Sequence, residues 1–162
     1  MGRGIAAAWG AAGMMRLDER ATATAAVLAR FRVRPFGWKA GGTCIHLARA
    51  QMRALGHRPP SIPRFHSAIG AQRALAATGF DDLAALLDSM LPRIAPAAMW
   101  VGDIAVMAPS EGDPFDAIVV STGQTGSGSI GGGQMMAGYH ADHPGDGIVN
   151  IIPMAFKGAW RL

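Results

Sequence analysis

The apolar residues of this chain change period part-way along, and that change limits the folds open to it. Up to about residue 91 they recur at helical spacing. In DERATATAAVLARF, with the Leu17 that precedes it, Leu17, Ala21, Ala25 and Leu28 fall on one side. Asp18 and Glu19 stand at the head of this run and arginines at its tail, as the helix dipole favours. Arg34-Pro35-Phe36-Gly37 ends it. Gly41-Gly42 then make a turn, Thr43 is a good N-cap, and a second helix is predicted from Cys44 to about Leu55. Gly56 closes that helix, with Pro59-Pro60 beyond. Its Cys44, Leu47, Ala48, Gln51 and Leu55 share a face. Ser67 caps a third run, AIGAQRALAATG, and Asp81-Asp82 open a fourth, LAALLDSML. Beyond Pro92 the pattern becomes short and β-branched: IAVMA after Gly102-Asp103, FDAIVVS after Pro114, and GIVNIIPM. Helices first and strands second predict an α+β fold, with strands at about 102–107, 115–121 and 148–152.

Between the last two runs lies GQTGSGSIGGGQMMAGYHADHPGDG, residues 123–147. So much glycine costs roughly 1–2 kcal/mol of backbone entropy per residue on ordering. Ile130, Met135, Met136 and Tyr139 are its only large apolar or aromatic residues. The segment is expected to be a loop insertion that orders against another subunit. Residues 1–16 are expected to be an arm ahead of a single domain at 17–162, a size that supports one core. The arm's weak apolar stretch lacks a convincing leader cleavage site.

Composition narrows the function classes. No apolar run approaches the roughly 18–20 residues that cross a bilayer. A single cysteine allows no internal disulfide and no multi-cysteine zinc site. Residues 1–66 carry eleven Lys/Arg and two acids, whereas 67–162 carry four and nine. A basic half suits an acidic partner surface. Its arginines are spread out and few aromatics interleave with them, so no sequence-specific nucleic-acid site is expected.

Cys44 is the one candidate nucleophile. The first turn of a helix lowers a thiol's pKa and favours the thiolate. It needs a base, and the chain offers His46, His57, His66, His140 and His143. His46 is two residues along the helix and points elsewhere, and His57 sits at the helix's far end. His140 and His143, at the end of the glycine-rich segment, are the better placed to fold back over the helix head, with His66 third. The alternative reading of Cys44 is a small buried thiol. His140, Asp142 and His143 also carry metal-ligand atoms, but Pro144-Gly145 argue against the helical turn that would align them. No metal and no cofactor is expected.

The segment PFGWKAGGTCIHLARAQMRALGHRPP resembles the nucleophile segment of NlpC/P60-like, papain-like phage tail proteins. There an aromatic-Trp-Gly turn precedes an Asp-Cys pair at a helix head. The resemblance, to a divergent branch among phage and prophage tail genes, continues through GAQRALAATGFDDLAALLDSMLPRIAPAAMWVGDIAVM and ends in PMAFKGAWRL, similar to a closing strand and aromatic tail. It covers roughly 17–162 apart from the glycine-rich insert. It implies a papain-like single domain with a small antiparallel sheet and gives Cys44 the nucleophile position. Thr43 stands where the peptidases have Asp, and Lys39 where glycine is usual. The histidine opens the strand after Gly-Asp-Ile/Val-Ala, and here that position is Phe115, which cannot act as a base. Asn150 is a conceivable orienter of a base. The dyad is broken unless His140 or His143 substitutes. The resemblance thus implies a structural component of a phage or phage-like tail tip or hub, on a degenerate peptidase fold. Such a protein is made in the bacterial host cytoplasm, sits in the virion, and contacts other tail-tip and hub proteins. The alternative is an active cysteine peptidase or amidase that degrades host peptidoglycan during DNA entry.

Overall fold

The computed structural model describes residues 15–109, 115–126 and 133–162. Four helices come first: α1 (Leu17–Arg32), α2 (Cys44–Ala54), α3 (Ala68–Ala77) and α4 (Leu83–Asp88). Six strands follow: β1 (Arg93–Ile94), β2 (Ile104–Met107), β3 (Ala117–Thr125), β4 (Gln134–Gly138), β5 (Val149–Ile151) and β6 (Gly158–Trp160). They form one antiparallel sheet in the order β1-β6-β2-β3-β4-β5. The expected α+β class is observed.

The helix starts follow from local chemistry. Thr43 Oγ1 accepts from the His46 N–H, Ser67 Oγ from Gly70 and Asp82 Oδ1 from Ala85. Each cap satisfies a backbone donor that the first helical turn leaves unpaired. At α1 the Glu19 carboxylate reaches back 3.1 Å to the Arg16 N–H.

The strands alternate as a two-sided core requires. Ile104, Val106, Ile118, Val120, Ala137 and Trp160 face the helices and meet Val27, Phe31, Leu47 and Met52. Ala105, Val119, Met136 and Ala159 face the other way, under Met99 and Phe156. α2 lies against β3 and α1 lies against α2. Gln51 Nε2 donates to Thr24 Oγ1 at 2.8 Å, while Arg34 near the end of α1 reaches Gly41 just before α2, so the two helices run antiparallel.

Part of the expected loop insertion is core. β3 runs on to Thr125, and Gln134–Gly138 is an interior strand paired with both β3 and β5. Met136 and Ala137 are fully buried within this same domain, and Tyr139 packs against the main core. The expectation that these residues need another subunit to cover them is therefore corrected for Met136 and Tyr139. A β-ladder satisfies the backbone at each residue, so a glycine-rich strand holds once its neighbours are in place. Ile130 and the arm up to residue 14 lie outside the described residues.

The Gly102-Asp103 pair opens β2 and closes a buried ionic cluster. Asp103 is 0% exposed and Arg20 3%. Asp103 Oδ1 accepts from Arg20 Nη2 at 2.8 Å and from the Leu162 N–H at 3.0 Å. Its Oδ2 accepts from the Trp100 N–H at 2.8 Å and faces Arg161 Nε at 3.2 Å. Arg20 also donates to the carbonyls of Val101 and Leu162. The Arg161 guanidinium lies 3.6 Å from the centre of the Trp100 ring. Gly102 has φ +87°, and an added Cβ would meet Thr24 Oγ1 at 2.5 Å. A glycine is needed there to turn the chain into β2 against α1 and α2.

Candidate functional site

Cys44 is the first residue of α2, as expected, and is half-buried against the core. The turn before it is closed by a two-way backbone pairing between Gly37 and Gly42, at 2.9 and 3.2 Å. A Cβ on Gly42 would sit 2.3 Å from the Pro35 carbonyl oxygen, so this turn needs glycine for space.

Aromatic rings gather around that helix head. Trp38 meets Phe36 edge-on at 5.3 Å, Phe65 at 6.0 Å and Phe115 at 6.0 Å between ring centres. Phe36 also meets Tyr139 at 5.7 Å. Phe115, on the approach to β3, therefore stands beside the turn that leads into Cys44. Tyr139 leaves the end of β4, and its hydroxyl donates to the Arg34 carbonyl at 3.0 Å. Burial, opposed by the Arg34 charge and reinforced by nearby Cys44, pushes the Tyr139 phenol up to about 12 from 10.0.

His46, His140 and His143 each have a polar group close to the ring nitrogen Nδ1. His46 Nδ1 lies 2.7 Å from Thr43 Oγ1, and its ring packs on Phe65. Burial, and after it the charges of Arg34 and Arg49, lowers the His46 pKa, so this imidazole is neutral near pH 7. Burial likewise lowers that of His57, with Arg20 adding to the shift. His140 Nδ1 accepts from the Asp142 N–H at 3.2 Å, and His143 Nδ1 lies 3.3 Å from Asp146 Oδ2. Both histidines are thus tied to their own turn. Asn150 Oδ1 accepts from Arg32 Nη2 at 2.7 Å, which joins β5 to the end of α1. That bond gives Asn150 a structural use. Among the described residues no group of three or more His, Cys, Asp or Glu is placed to hold a metal ion.

Sequence reasoning missed Phe65 and Tyr139 as members of the ring cluster. They come from the loop before α3 and the end of β4, and only the packed domain brings them to Cys44.

A family model described as a domain of unknown function (DUF6950) matches residues 15–161. The chain belongs to that family. No curated protein and no solved structure matches it. The match spans all four helices and all six strands of this DUF6950 chain. Among the described residues no helix is long and apolar enough to cross a membrane.

Tyr139 is the chain's only tyrosine, which makes its ionisation directly readable. Titration of the phenolate absorbance of the folded DUF6950 domain is expected to show a midpoint near about 12. The folded pKa lies above the unfolded one, so the folded state holds the proton longer. Stability is therefore expected to fall as pH rises from about 10 to about 12 and to change little below that window through this group. A midpoint near the ordinary 10.0 in folded protein would show that Tyr139 is open to water.

Proposed function

We propose that this chain is a structural component of a phage or phage-like tail tip or hub, built on a degenerate NlpC/P60-like, papain-like fold. In this reading Cys44 keeps the place of a nucleophile, and the position that the resemblance gives to its histidine is Phe115. One observation carries the reading. Phe115, the residue at the position where the resemblance puts a histidine, stands against Trp38 beside the Cys44 helix head. A phenyl ring neither accepts nor donates the proton that thiol catalysis moves. The hydroxyl nearest in kind, Tyr139, holds its proton to about pH 12 and spends it on the Arg34 carbonyl, so it does not serve as the base near neutrality. Aromatic packing here gives rigidity to the turn that positions α2.

The competing reading is an active peptidase or amidase on host peptidoglycan, and one assay separates the two. The wild-type chain, incubated with purified, dye-labelled peptidoglycan, is expected to release no soluble dye, and Cys44→Ala to behave identically. Cys44→Ala is also expected to cost at most about 1–2 kcal/mol of stability, since it removes one half-buried sulfur. Dye release by the wild type that Cys44→Ala abolishes would overturn the structural reading. Mass spectrometry of purified particles from a host carrying the gene would test the tail assignment itself, because a virion component must copurify with the tail.

A further inference from the structure

A groove of about 960 Å³ runs along the outer side of the α1–α2 pair, walled on the far side by the loop through Phe65. Six cations line it: Arg30 and Arg34 from α1 and just beyond it, Arg49 and Arg53 from α2, and Lys39 and Arg64 from the two loops. Among the described residues no carboxylate lines it. None of the six is in an ion pair among the described residues, although the same domain pairs Arg16, Arg20, Arg93, Lys157 and Arg161 with acids. Like charges placed this close repel one another unless an anion lies between them. The field they make already reaches His46, whose pKa Arg34 and Arg49 help to lower.

The cations are also held in place. The Arg30 and Arg34 guanidinium groups lie 5.6 and 4.9 Å from the centre of the Phe31 ring. Arg34 donates to the Gly41 carbonyl and Arg49 to the Pro60 carbonyl, each at 3.4 Å, and each keeps further N–H groups for another acceptor. Arg49 and Arg53 are an i, i+4 pair on α2, so that wall repeats its charge about every 6 Å along the helix. Because α1 and α2 run antiparallel, Arg30 and Arg34 from the end of α1 and Arg49 and Arg53 from α2 line one groove. Ala23, Ala26, Ala50 and Ala54 add small apolar side chains to its lining.

We infer that this groove binds an extended acidic peptide segment of a partner protein. In an extended chain every second side chain points the same way, at a repeat of about 6.6 Å, close to the spacing of Arg49 and Arg53 on α2. The fork of an arginine takes a carboxylate through two parallel hydrogen bonds. A single-stranded nucleic acid would need open aromatic faces for its bases. The groove's aromatic rings are already in use: Trp38 packs on Phe36, Phe65 and Phe115, and His46 packs on Phe65. The inference stands independently of the tail assignment, since it uses only the groove.

The test is fluorescence anisotropy with the full chain and a labelled dodecapeptide of alternating glutamate and alanine. An oligothymidylate of equal charge is measured in parallel at the same low salt. The peptide is expected to bind more tightly than the oligonucleotide, and more weakly as salt rises. Arg30→Glu/Arg53→Glu takes one exposed cation from each wall and is expected to weaken peptide binding about ten-fold or more. Arg58→Glu/Arg73→Glu makes the same change of net charge outside the groove and is expected to change binding by less than about three-fold. Lys39→Glu provides a second groove variant, so that poor folding of the double variant does not decide the question. Three outcomes overturn the proposal: no peptide binding at low salt, tighter binding of the oligonucleotide, or equal losses from groove and control variants.

Discussion

Asp103→Ala is expected to destabilise the chain by about 3–5 kcal/mol, the range for removing one partner of a buried ion pair. The carboxylate is 0% exposed and is shared by Arg20, Arg161 and the N–H groups of Trp100 and Leu162. Without it the Arg20 guanidinium, 4% exposed, keeps its charge in the interior with only two carbonyls to meet it. Two backbone donors lose their acceptor as well, and each unsatisfied group adds its own desolvation cost. Urea unfolding followed by circular dichroism measures this, as a lower midpoint with an unchanged slope. Asp18→Ala is the comparison. Asp18 pairs with Arg16 at 3.1 Å, but both side chains are mostly exposed. That change is expected to stay within about 0.5 kcal/mol. A loss under about 1 kcal/mol for Asp103→Ala would mean that the cluster is worth no more than a surface pair.

Gly147→Ala is the second large effect, expected at about 2–4 kcal/mol for overpacking against a rigid wall. A Cβ there would lie 2.2 Å from the Arg32 carbonyl oxygen and 2.3 Å from that of Phe31. Both are backbone atoms at the end of α1, so no side-chain rotation relieves the contact. The chain has to move away from α1, which strains the Ile148 N–H bond to the Phe31 carbonyl at 3.2 Å and the burial of Ile148. Gly145→Ala, two residues earlier, meets nothing within 4 Å. It is expected to change stability by less than about 0.5 kcal/mol. Thermal melts of the two variants side by side separate steric crowding from any general intolerance of alanine in this turn. Similar melting temperatures for both would show that residue 147 is not pressed against α1.

The two variants also bear on the candidate site from different sides. Gly147 packs on the end of α1, next to Arg34, whose carbonyl accepts the Tyr139 hydroxyl and whose guanidinium lines the basic groove. Loosening that contact is therefore expected to shift the Tyr139 titration downward, whereas Asp103→Ala acts at the other end of α1, at Arg20.

What the residues determined on their own is local. Thr43, Ser67 and Asp82 cap their helices, because a cap needs only a side-chain oxygen and a backbone donor three residues on. That put Cys44 at the head of α2 without further help. The three β-branched runs became β2, β3 and β5, since alternation and β-branching are also short-range signals. The hidden strand was β4, whose sequence QMMAG carries no β-branched residue. It is a strand because β3 and β5 supply ladder bonds on both sides, and only the assembled sheet supplies them. Gly102-Asp103 was legible as a strand opening, but its charge partner Arg20 lies 83 residues away, and no spacing rule joins them. The same holds for function. Phe115 could be read as a missing base, yet the ring cluster around it draws on Phe36, Trp38, Phe65 and Tyr139 from three separate stretches. The basic half was visible as scattered arginines. Antiparallel packing of α1 on α2 brought Arg30, Arg34, Arg49 and Arg53 to one groove, because charge along a chain is one-dimensional and a binding surface is made only when helices meet.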